Sequence, residues 1–327
     1  MNSASFYRQN RLLHRNFAVG KGFSQRPEPC YNEATSGLGT MSAKAVYNQG
    51  WSLDEVQWQN FDASKVEPWM LTAVKAAALV EFNAPDYVSY LKRVFPDAPT
   101  QAVIEQWGRE ETQHGRALGR WAEMADPSFS MDDAFARFRE GYRPPHFTGQ
   151  DVVSIRGSRR GEMISRCVVE SGTSSYYSAI RDSTDEPVLK EIAGRIAADE
   201  YRHYKLFFEI QRAQSEPEMP FWRKLMVAVG RINESDDDEI SYACYCAAVP
   251  REREAAVPYV RAQFAKAAYN TTLRVYRRRH VQKLAQMVSK AVGADPQGRM
   301  TKLAGALLWR MLRMRAGMSG VNAEAAV

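Results

Sequence analysis

Residues 196–203 read Ile-Ala-Ala-Asp-Glu-Tyr-Arg-His, and residues 107–114 read Trp-Gly-Arg-Glu-Glu-Thr-Gln-His. Both stretches place a glutamate three positions before a histidine, which gives the pairs Glu111–His114 and Glu200–His203. Side chains three positions apart lie on the same face of a helix. Each stretch therefore predicts a helix that aims one carboxylate and one imidazole in the same direction. The chain has only five histidines, and two of them occur in this motif.

The apolar residues around each motif follow the spacing of a buried helix face. They are Ile104, Trp107, Leu118 and Trp121 in the first stretch, and Leu189, Ile196, Phe207 and Ile210 in the second. A stripe with spacings of three and four residues faces the core of a helical protein. Both glutamates and both histidines are therefore predicted to lie in the interior, where a polar side chain needs a specific partner.

Two further glutamates, Glu81 and Glu170, complete the constellation. Each lies 30 residues before the motif glutamate that follows it, and a short turn falls near the middle of each interval. At a rise of about 1.5 Å per residue, the two arms of each helical hairpin match in length to within about one turn. All four glutamates are therefore expected at one level of a helical bundle.

Four buried carboxylates require compensating cations, because an unpaired buried charge costs several kcal/mol. Two divalent ions would balance four carboxylates, with two neutral imidazoles completing the ligand set. Mixed oxygen and nitrogen ligands suit iron or manganese. Closed zinc sites favour thiolates, and the four cysteines, at positions 30, 167, 244 and 246, are not spaced for one. The predicted metal ligands are Glu81, Glu111, His114, Glu170, Glu200 and His203.

An acidic residue precedes each motif glutamate: Glu110 in the first motif and Asp199 in the second. A metal-bound histidine usually donates its other N–H group to a carboxylate or a carbonyl. Asp199 is the expected partner of His114 across the bundle. Glu110 is either an equivalent partner or a solvated charge.

The chain reads as all-α around this site. Helices are expected from Pro68 to Val94, from a cap at Thr100 to Met124, and over 132–140, 159–181 and 187–213. Residues 127–158 form the long connection that contains the short helix and the breaker Pro144-Pro145. Two helical hairpins joined by one long crossover predict a ferritin-like four-helix bundle.

Three regions are expected. Residues 1–50 read as a disordered segment, with an organellar transit peptide or a true start at Met41 as alternatives. Residues 51–215 form the bundle, and 216–327 form a basic helical extension packed on it, with helices near 221–232, 237–248, 258–291 and 298–315. From Arg251 onward there are 15 basic and 4 acidic residues, a net charge of +11. The basic tail could attract an acidic partner, or could be a solvated helix face.

Composition narrows the class of protein. The chain is 45% apolar and 25% charged, as in ordinary globular domains. No run reaches the roughly 18 apolar residues of a membrane span, and the N-terminus lacks the apolar core of a secretory signal. No CxxC pair or disulfide framework is indicated. A cytoplasmic location is the simplest expectation.

Five patches resemble the acyl-[acyl-carrier-protein] desaturases, soluble di-iron enzymes of the ferritin-like superfamily. They are Glu81-x-x-x-Pro85-x-Tyr87, Trp107-x-x-Glu110-Glu111-x-x-His114-Gly115, Glu170-x-x-Thr173, Ile196-Ala-Ala-Asp199-Glu200-x-Arg202-His203 and, more weakly, Trp58-Gln59 with Phe61. The likeness covers residues 51–215, and the fourth patch is the most specific. The first hairpin turn is shorter than in the plant enzymes, and the N-terminal region has no identified counterpart.

The resemblance implies two irons held by the six predicted ligands, with O2 as co-substrate. It implies that Thr173 delivers protons to bound oxygen and that Trp58 lies on an electron route, although both could be packing residues. It also implies an acyl carrier protein as partner, a ferredoxin-like electron donor and a homodimer. An apolar substrate channel would run past the metals, lined by residues such as Ala77, Trp107, Ser174 and Tyr177.

Several other functions use the same ligands. Hydroxylation, N-oxygenation and aldehyde deformylation would employ the same site, and an iron-storing or peroxide-removing protein would employ the same fold. A third alternative is that the run Arg277-Arg278-Arg279-His280 forms a surface that binds nucleic acid or a membrane, but no nucleic-acid motif accompanies it. No nucleic-acid partner and no membrane span are therefore predicted.

Overall fold

A computed structural model describes residues 50–142, 153–234 and 238–318. All regular secondary structure in these ranges is helical, which confirms the all-α prediction for this part of the chain. The predicted disordered segment 1–50 lies outside the described residues except for its last position, and so does Pro144-Pro145.

The first hairpin contains three helices where the sequence predicted two. Helix α1 spans Pro68–Phe82, α2 spans Ala84–Val94 and α3 spans Ala98–Ala125. The expected single helix 68–94 is interrupted at Asn83. Pro85 explains the break, because a proline has no N–H group to donate and its ring clashes with the carbonyl four residues earlier, here that of Glu81. The interruption therefore falls two residues after the predicted metal ligand Glu81.

Helix α3 begins three residues earlier than predicted, and Asp97 rather than Thr100 is its cap. The Asp97 carboxylate accepts a hydrogen bond from the Thr100 backbone N–H at 2.9 Å. An acidic side chain at this position satisfies an unpaired N–H group of the first turn. Pro99 fits the first turn because no intrahelical donor is needed there.

Two glycines on α3 allow the other helices of the hairpin to approach closely. A methyl group added at Gly115 would lie 2.6 Å from the Phe82 backbone nitrogen, and one added at Gly108 would meet the Val88 side chain. These pairings run in opposite directions along the chain, so α1 and α2 lie antiparallel to α3.

A long connection then carries the chain back along the bundle. It contains α4, Met131–Gly141, which lies within one residue of the predicted bounds at each end. The next helix, α5 (Arg159–Ser183), begins beside the end of α2, where Arg159 Nε donates to the Val94 carbonyl at 2.9 Å. Because α3 starts near Val94 and is about 42 Å long, the end of α3 at Ala125 and the start of α5 at Arg159 lie at opposite ends of the helices.

The second hairpin consists of α5 and α6 (Pro187–Ala213). The Glu186 carboxylate caps α6 by accepting from the N–H groups of Val188 and Leu189. Ser174 Oγ donates to the Ala197 carbonyl at 3.0 Å, in register with an antiparallel pair. Helices α3 and α6 are also antiparallel, because Trp107 packs on Phe207 while Trp121 Nε1 donates to Glu186 at the other end.

The C-terminal part continues as α7 (Phe221–Asn233), α8 (Asp238–Ala248), α9 (Arg261–Val275), α10 (Arg278–Val292) and α11 (Arg299–Met318). Helices α7 and α10 pack on α5, and α8 packs on α1. The predicted helix 258–291 is divided at Tyr276 and Arg277. Tyr276 is buried there, and the Arg277 N–H is capped by His280 Nδ1. Within the described ranges no helix is both long and apolar enough to cross a bilayer.

The interior contains two large apolar clusters separated along the bundle axis. One includes Val74, Leu118, Trp121, Ile192 and Ile196. The other includes Leu91, Ile104, Trp107, Met163 and Phe207. The six predicted ligands lie at the level between them, so they form a polar layer in an otherwise apolar core.

Candidate metal centre

Six buried side chains from four helices converge on this polar layer. Glu81 comes from α1, Glu111 and His114 from α3, Glu170 from α5, and Glu200 and His203 from α6. None of the six is more than 7% exposed. All six were predicted as ligands from the sequence, and the structure brings all six together.

The side chains form two groups, each with four candidate ligand atoms. The first contains Glu81, Glu111, His114 and Glu200, and the second contains Glu111, Glu170, Glu200 and His203. Within each group the four atoms lie within 4.8 Å of one another. Glu111 and Glu200 belong to both groups, so two metal ions could share these two carboxylates.

The donor atoms of the site lack hydrogen-bond partners although they are buried. Those that form no hydrogen bond are Glu111 Oε1, Glu170 Oε1, Glu200 Oε1, His114 Nδ1 and His203 Nδ1. The two imidazole nitrogens face carboxylate oxygens instead, with His203 Nδ1 2.9 Å from Glu111 Oε1 and His114 Nδ1 3.2 Å from Glu200 Oε1. Buried polar atoms in native proteins are nearly always paired, and five orphans in one layer require an explanation. All five belong to the two groups, and a bound cation would satisfy them. The residues therefore fit a metal centre.

Each histidine is held from behind by a carboxylate. His114 Nε2 lies 3.0 Å from Asp199 Oδ2, and His203 Nε2 lies 2.7 Å from Glu110 Oε2. Arg202 lies between the two carboxylates, hydrogen-bonded to Asp199 and 3.6 Å from Glu110. With the Nε2 atoms engaged outward, both Nδ1 atoms are directed at the centre. The predicted Asp199–His114 contact is present, and Glu110 makes the equivalent contact.

Electrostatics indicate that protons occupy the centre when no cation does. Burial, reinforced by the negative charge of Glu111, raises the pKa of Glu81 well above its usual value. Burial and the charge of Glu200 do the same to the pKa of Glu170. Burial opposes protonation of His203, but the hydrogen bond to Glu110 and the adjacent Glu111 carboxylate outweigh it and raise the His203 pKa to about 9. Metal ions would have to displace these protons.

The Thr173 hydroxyl contacts a shared ligand. Thr173 Oγ1 lies 2.5 Å from Glu200 Oε2, and it lies 3.3 Å from the carbonyls of Val169 and Glu170 in the preceding turn. A hydroxyl has one proton to donate, and the shortest contact is to the Glu200 carboxylate. The predicted catalytic threonine is thus next to the ligands, where its proton is within reach of the centre.

Trp51, rather than Trp58, is the tryptophan in contact with the site. The Trp51 indole donates to Asp199 Oδ2 at 2.8 Å, and its ring stacks parallel to His114 with centroids 6.2 Å apart. Trp58 instead donates to the Leu53 carbonyl and lies beneath the guanidinium of Arg120. The predicted electron route through Trp58 therefore has no contact with the ligands, whereas Trp51 reaches His114 through one carboxylate.

Tyr177 was predicted only as a channel-lining residue, yet it contacts a ligand. Its hydroxyl donates to Glu81 Oε1 at 2.5 Å, and the residue is buried. A signal for this role exists in the sequence, because Tyr177 follows Glu170 by seven positions and so lies two turns along the same face of α5. Tyr177 fixes the orientation of the Glu81 carboxylate next to the break in the first hairpin.

No protein-family model matches this sequence, and no curated protein matches it. The resemblance to the acyl-carrier-protein desaturases therefore remains a prediction carried by the motif residues. Any assignment of function depends on the chemistry of the six side chains and their partners.

Proposed function

We propose that this protein is a di-iron, O2-dependent oxidoreductase that introduces a double bond into an acyl chain carried by acyl carrier protein. The observation that carries the proposal is that Glu111 and Glu200 belong to both ligand groups. Two carboxylates common to two four-ligand sites suit a pair of ions, because each can bridge them. A single structural ion would need only one of the two groups.

The helix connectivity supports a ferritin-like bundle as the scaffold of this centre. The helices within each hairpin are antiparallel, and the first hairpin ends at the opposite end of the helices from where the second begins. Bundles of this kind supply one glutamate from each of two helices and a Glu-x-x-His motif from each of the other two. Helices α1 and α5 supply the single glutamates here, and α3 and α6 supply the motifs.

Iron is the proposed metal because of the ligand atoms that the two groups offer. Each group offers three carboxylates and one imidazole, a set that favours iron or manganese over zinc or copper. The three cysteines in the described ranges lie outside both groups. When bound, a pair of irons supplies redox chemistry that couples the reduction of O2 to the oxidation of an unactivated C–H bond.

The overall reaction consumes one O2, two electrons and two protons, and converts a saturated –CH2–CH2– unit into –CH=CH– with release of two waters. The protein must orient the chain and deliver protons. Thr173 Oγ1, hydrogen-bonded to Glu200, is positioned to pass protons to the centre, and the two protons that the reaction consumes would come from solvent. Asp199 and Glu110 hold the two imidazoles in a fixed orientation. Burial of all six ligands excludes water from the reacting atoms.

Electrons must reach this buried layer from outside. The Trp51 indole donates to Asp199, which contacts His114, so a hydrogen-bonded path runs from Trp51 through Asp199 to His114. We propose that a ferredoxin-like protein donates electrons along this path. An acidic acyl carrier protein as substrate donor, a cytoplasmic location and a homodimer complete the proposal.

The test is a single-turnover reaction. The iron-loaded protein is chemically reduced and mixed with O2 and stearoyl or palmitoyl acyl carrier protein, and the released chains are analysed by mass spectrometry. The proposal expects a product lighter by two hydrogens in the native protein. The Glu200→Ala variant, which removes a ligand from both groups, should give none.

Other outcomes distinguish the alternatives. A hydroxylated or shortened chain would assign a different oxidation to the same site. Consumption of O2 with every chain unchanged would overturn the proposal in favour of iron storage or peroxide removal. Failure of the protein to hold about two irons per chain would remove its basis.

A further inference from the structure

Helix α11 exposes a line of large apolar side chains. They are Met300, Leu303, Leu307, Met311 and Met314, and Met300 is 77% exposed. At 3.6 residues per turn these five positions fall within an arc of about 80° and extend for about 21 Å. A continuous exposed apolar stripe of this length marks an interaction surface rather than random surface composition.

The opposite side of α11 attaches the helix to the rest of the protein. Thr301 and Gly305 are buried, and a methyl group added at Gly305 would lie 2.3 Å from Gln282 on α10. Thr301 Oγ1 donates to the Asp295 carbonyl at 2.7 Å, which fixes the start of the helix. The stripe therefore points away from the core on a helix whose rotation is set by α10.

Arg299 and Arg310 border the stripe on one side, Lys302 and Arg313 lie further round the helix on that side, and α11 contains no acidic residue. Arg299, Lys302, Arg310 and Arg313 are exposed, and none of the four forms an ion pair within the described part of the chain. By contrast, part of the more conspicuous basic run at 277–280 is engaged, since Arg279 and His280 both contact the Asp182 carboxylate at the end of α5. Four cations without an ion pair among the described residues thus lie on the helix that carries the apolar stripe.

Helix α7 presents a second surface of the same kind nearby. It also contains no acidic residue, and it exposes Phe221, Trp222 (59%), Leu225 and Met226. The Lys224 ammonium lies 3.9 Å from where a side chain at Gly293 would begin, in the turn between α10 and α11. The two helices therefore adjoin the same turn, at the end of the bundle where α6 finishes.

We infer that α11, together with α7, is a peripheral membrane-binding surface for anionic phospholipid. Helices that lie in the plane of a membrane interface combine an apolar face with flanking lysine and arginine, and with Trp, Phe or Leu at the apolar boundary. A second copy of this chain is a poor occupant of this surface, because the unpaired arginines and lysine of the two copies would repel one another. A nucleic acid is also a poor occupant, because its phosphate backbone would not contact the five exposed methionines and leucines favourably. The inference goes beyond the proposed metal chemistry and does not depend on it.

Vesicle flotation with the full chain tests the inference. Large vesicles of phosphatidylcholine alone are compared with vesicles in which about one third of the lipid is phosphatidylglycerol. The expected result is binding to the anionic vesicles that weakens with added salt, and little binding to neutral ones. Each surface cation contributes about five-fold to such binding, so Arg299→Gln with Arg310→Gln should weaken it about 25-fold.

Two further variants separate this surface from charge in general. Leu303→Ser with Leu307→Ser should weaken binding about ten-fold while retaining the net charge. Lys65→Gln with Lys190→Gln removes two positive charges near the start of α1 and of α6, at the far end of the bundle, and should leave binding within about two-fold of the native protein. Circular dichroism and melting temperature verify that each variant is folded.

The inference is overturned if the native protein does not float with anionic vesicles at low salt. It is also overturned if the Lys65/Lys190 control weakens binding as much as the α11 variants do. Saturable binding of an acidic carrier protein that the leucine variants abolish, without any vesicle binding, would assign the surface to a protein partner instead. Iron content and oxidation activity are measured separately, so a failed membrane assay leaves the proposed chemistry standing.

Discussion

The Trp51 indole nitrogen and the Asp199 carboxylate lie 2.8 Å apart, and the same Asp199 oxygen lies 3.0 Å from His114 Nε2. One oxygen atom thus joins a residue near the beginning of the described chain to a metal-ligand candidate on α3. Glu110 makes the corresponding contact with His203 but has Gln106, an amide, as its other partner on α3. The two halves of the centre therefore have equivalent histidine supports and different outer neighbours.

Removing either supporting carboxylate should weaken one metal position and spare the other. Loss of such an outer hydrogen bond lowers metal affinity about 10- to 100-fold. Asp199→Ala should act on the position that contains His114, and Glu110→Ala on the position that contains His203. Calorimetric titration with Mn²⁺ should resolve one unchanged and one weakened step in each variant. Equal weakening of both steps in both variants would contradict the assignment of supports.

Changing a shared glutamate should have a larger effect than changing an unshared one. Glu111→Ala and Glu200→Ala each remove a ligand from both groups, whereas Glu81→Ala and Glu170→Ala each affect one. We expect the unshared variants to keep about one iron per chain and the shared variants to keep almost none. Elemental analysis after gel filtration measures this directly. Equal iron content in Glu111→Ala and Glu81→Ala would show that the carboxylate is not shared.

The ligand set could be predicted from the sequence because polar residues occupy positions that the apolar spacing predicts to be buried. Glu111, His114, Glu200 and His203 interrupt apolar stripes at helical spacing, and a polar residue at such a position needs a partner. Hairpin symmetry then supplied Glu81 and Glu170 at the matching height. Local rules were sufficient, since each ligand lies within a regular helix.

Contacts that depend on irregular backbone were not accessible in this way. Trp51 lies outside the helices and contacts Asp199, which is 148 residues away in the sequence. No helical spacing in the sequence therefore predicts this contact. The break at Asn83 did have a local signal in Pro85, which the apolar pattern on both sides obscured. The break at Tyr276 has none, because it follows from burial of that side chain against α5 and from the bond between the Arg277 N–H and His280.

Metal binding should strengthen as the pH rises towards 9. The pKa of His203 is raised to about 9, so at neutral pH this imidazole carries a proton that the metal must displace. Below pH 9 the apparent affinity of this position should therefore fall by about ten-fold per pH unit for each proton displaced. Mn²⁺ titrations between pH 6 and pH 9 measure the slope, with about one proton expected from His203.

The Glu110→Gln variant supplies the matched control for this titration. An amide cannot favour the imidazolium as the Glu110 carboxylate does, so the His203 pKa should fall towards its ordinary value. The pH dependence should then level off at a lower pH than in the native protein. An affinity that does not vary with pH in either protein would show that His203 carries no proton in the metal-free state.

The close approach of α1 and α3 at Gly115 should be essential to the first metal position. A Cβ atom at Gly115 would lie 2.6 Å from the Phe82 nitrogen and 2.9 Å from the Ala78 carbonyl oxygen, both of which are backbone atoms that cannot rotate away. Gly115→Ala should therefore separate the helices and destabilise the protein by about 1–3 kcal/mol in urea unfolding. Because Glu81 precedes Phe82, the same change should displace the Glu81 carboxylate and weaken the metal position that contains His114.

Gly230→Ala is the control, since nothing lies within 4 Å of the added methyl group in the interior of α7. This variant should be more stable than the native protein by about 0.5–1 kcal/mol, because the unfolded chain loses backbone freedom. If Gly115→Ala were as stable as Gly230→Ala and bound two ions with native affinity, α1 would not pack against α3 in the way that brings Glu81 to the centre.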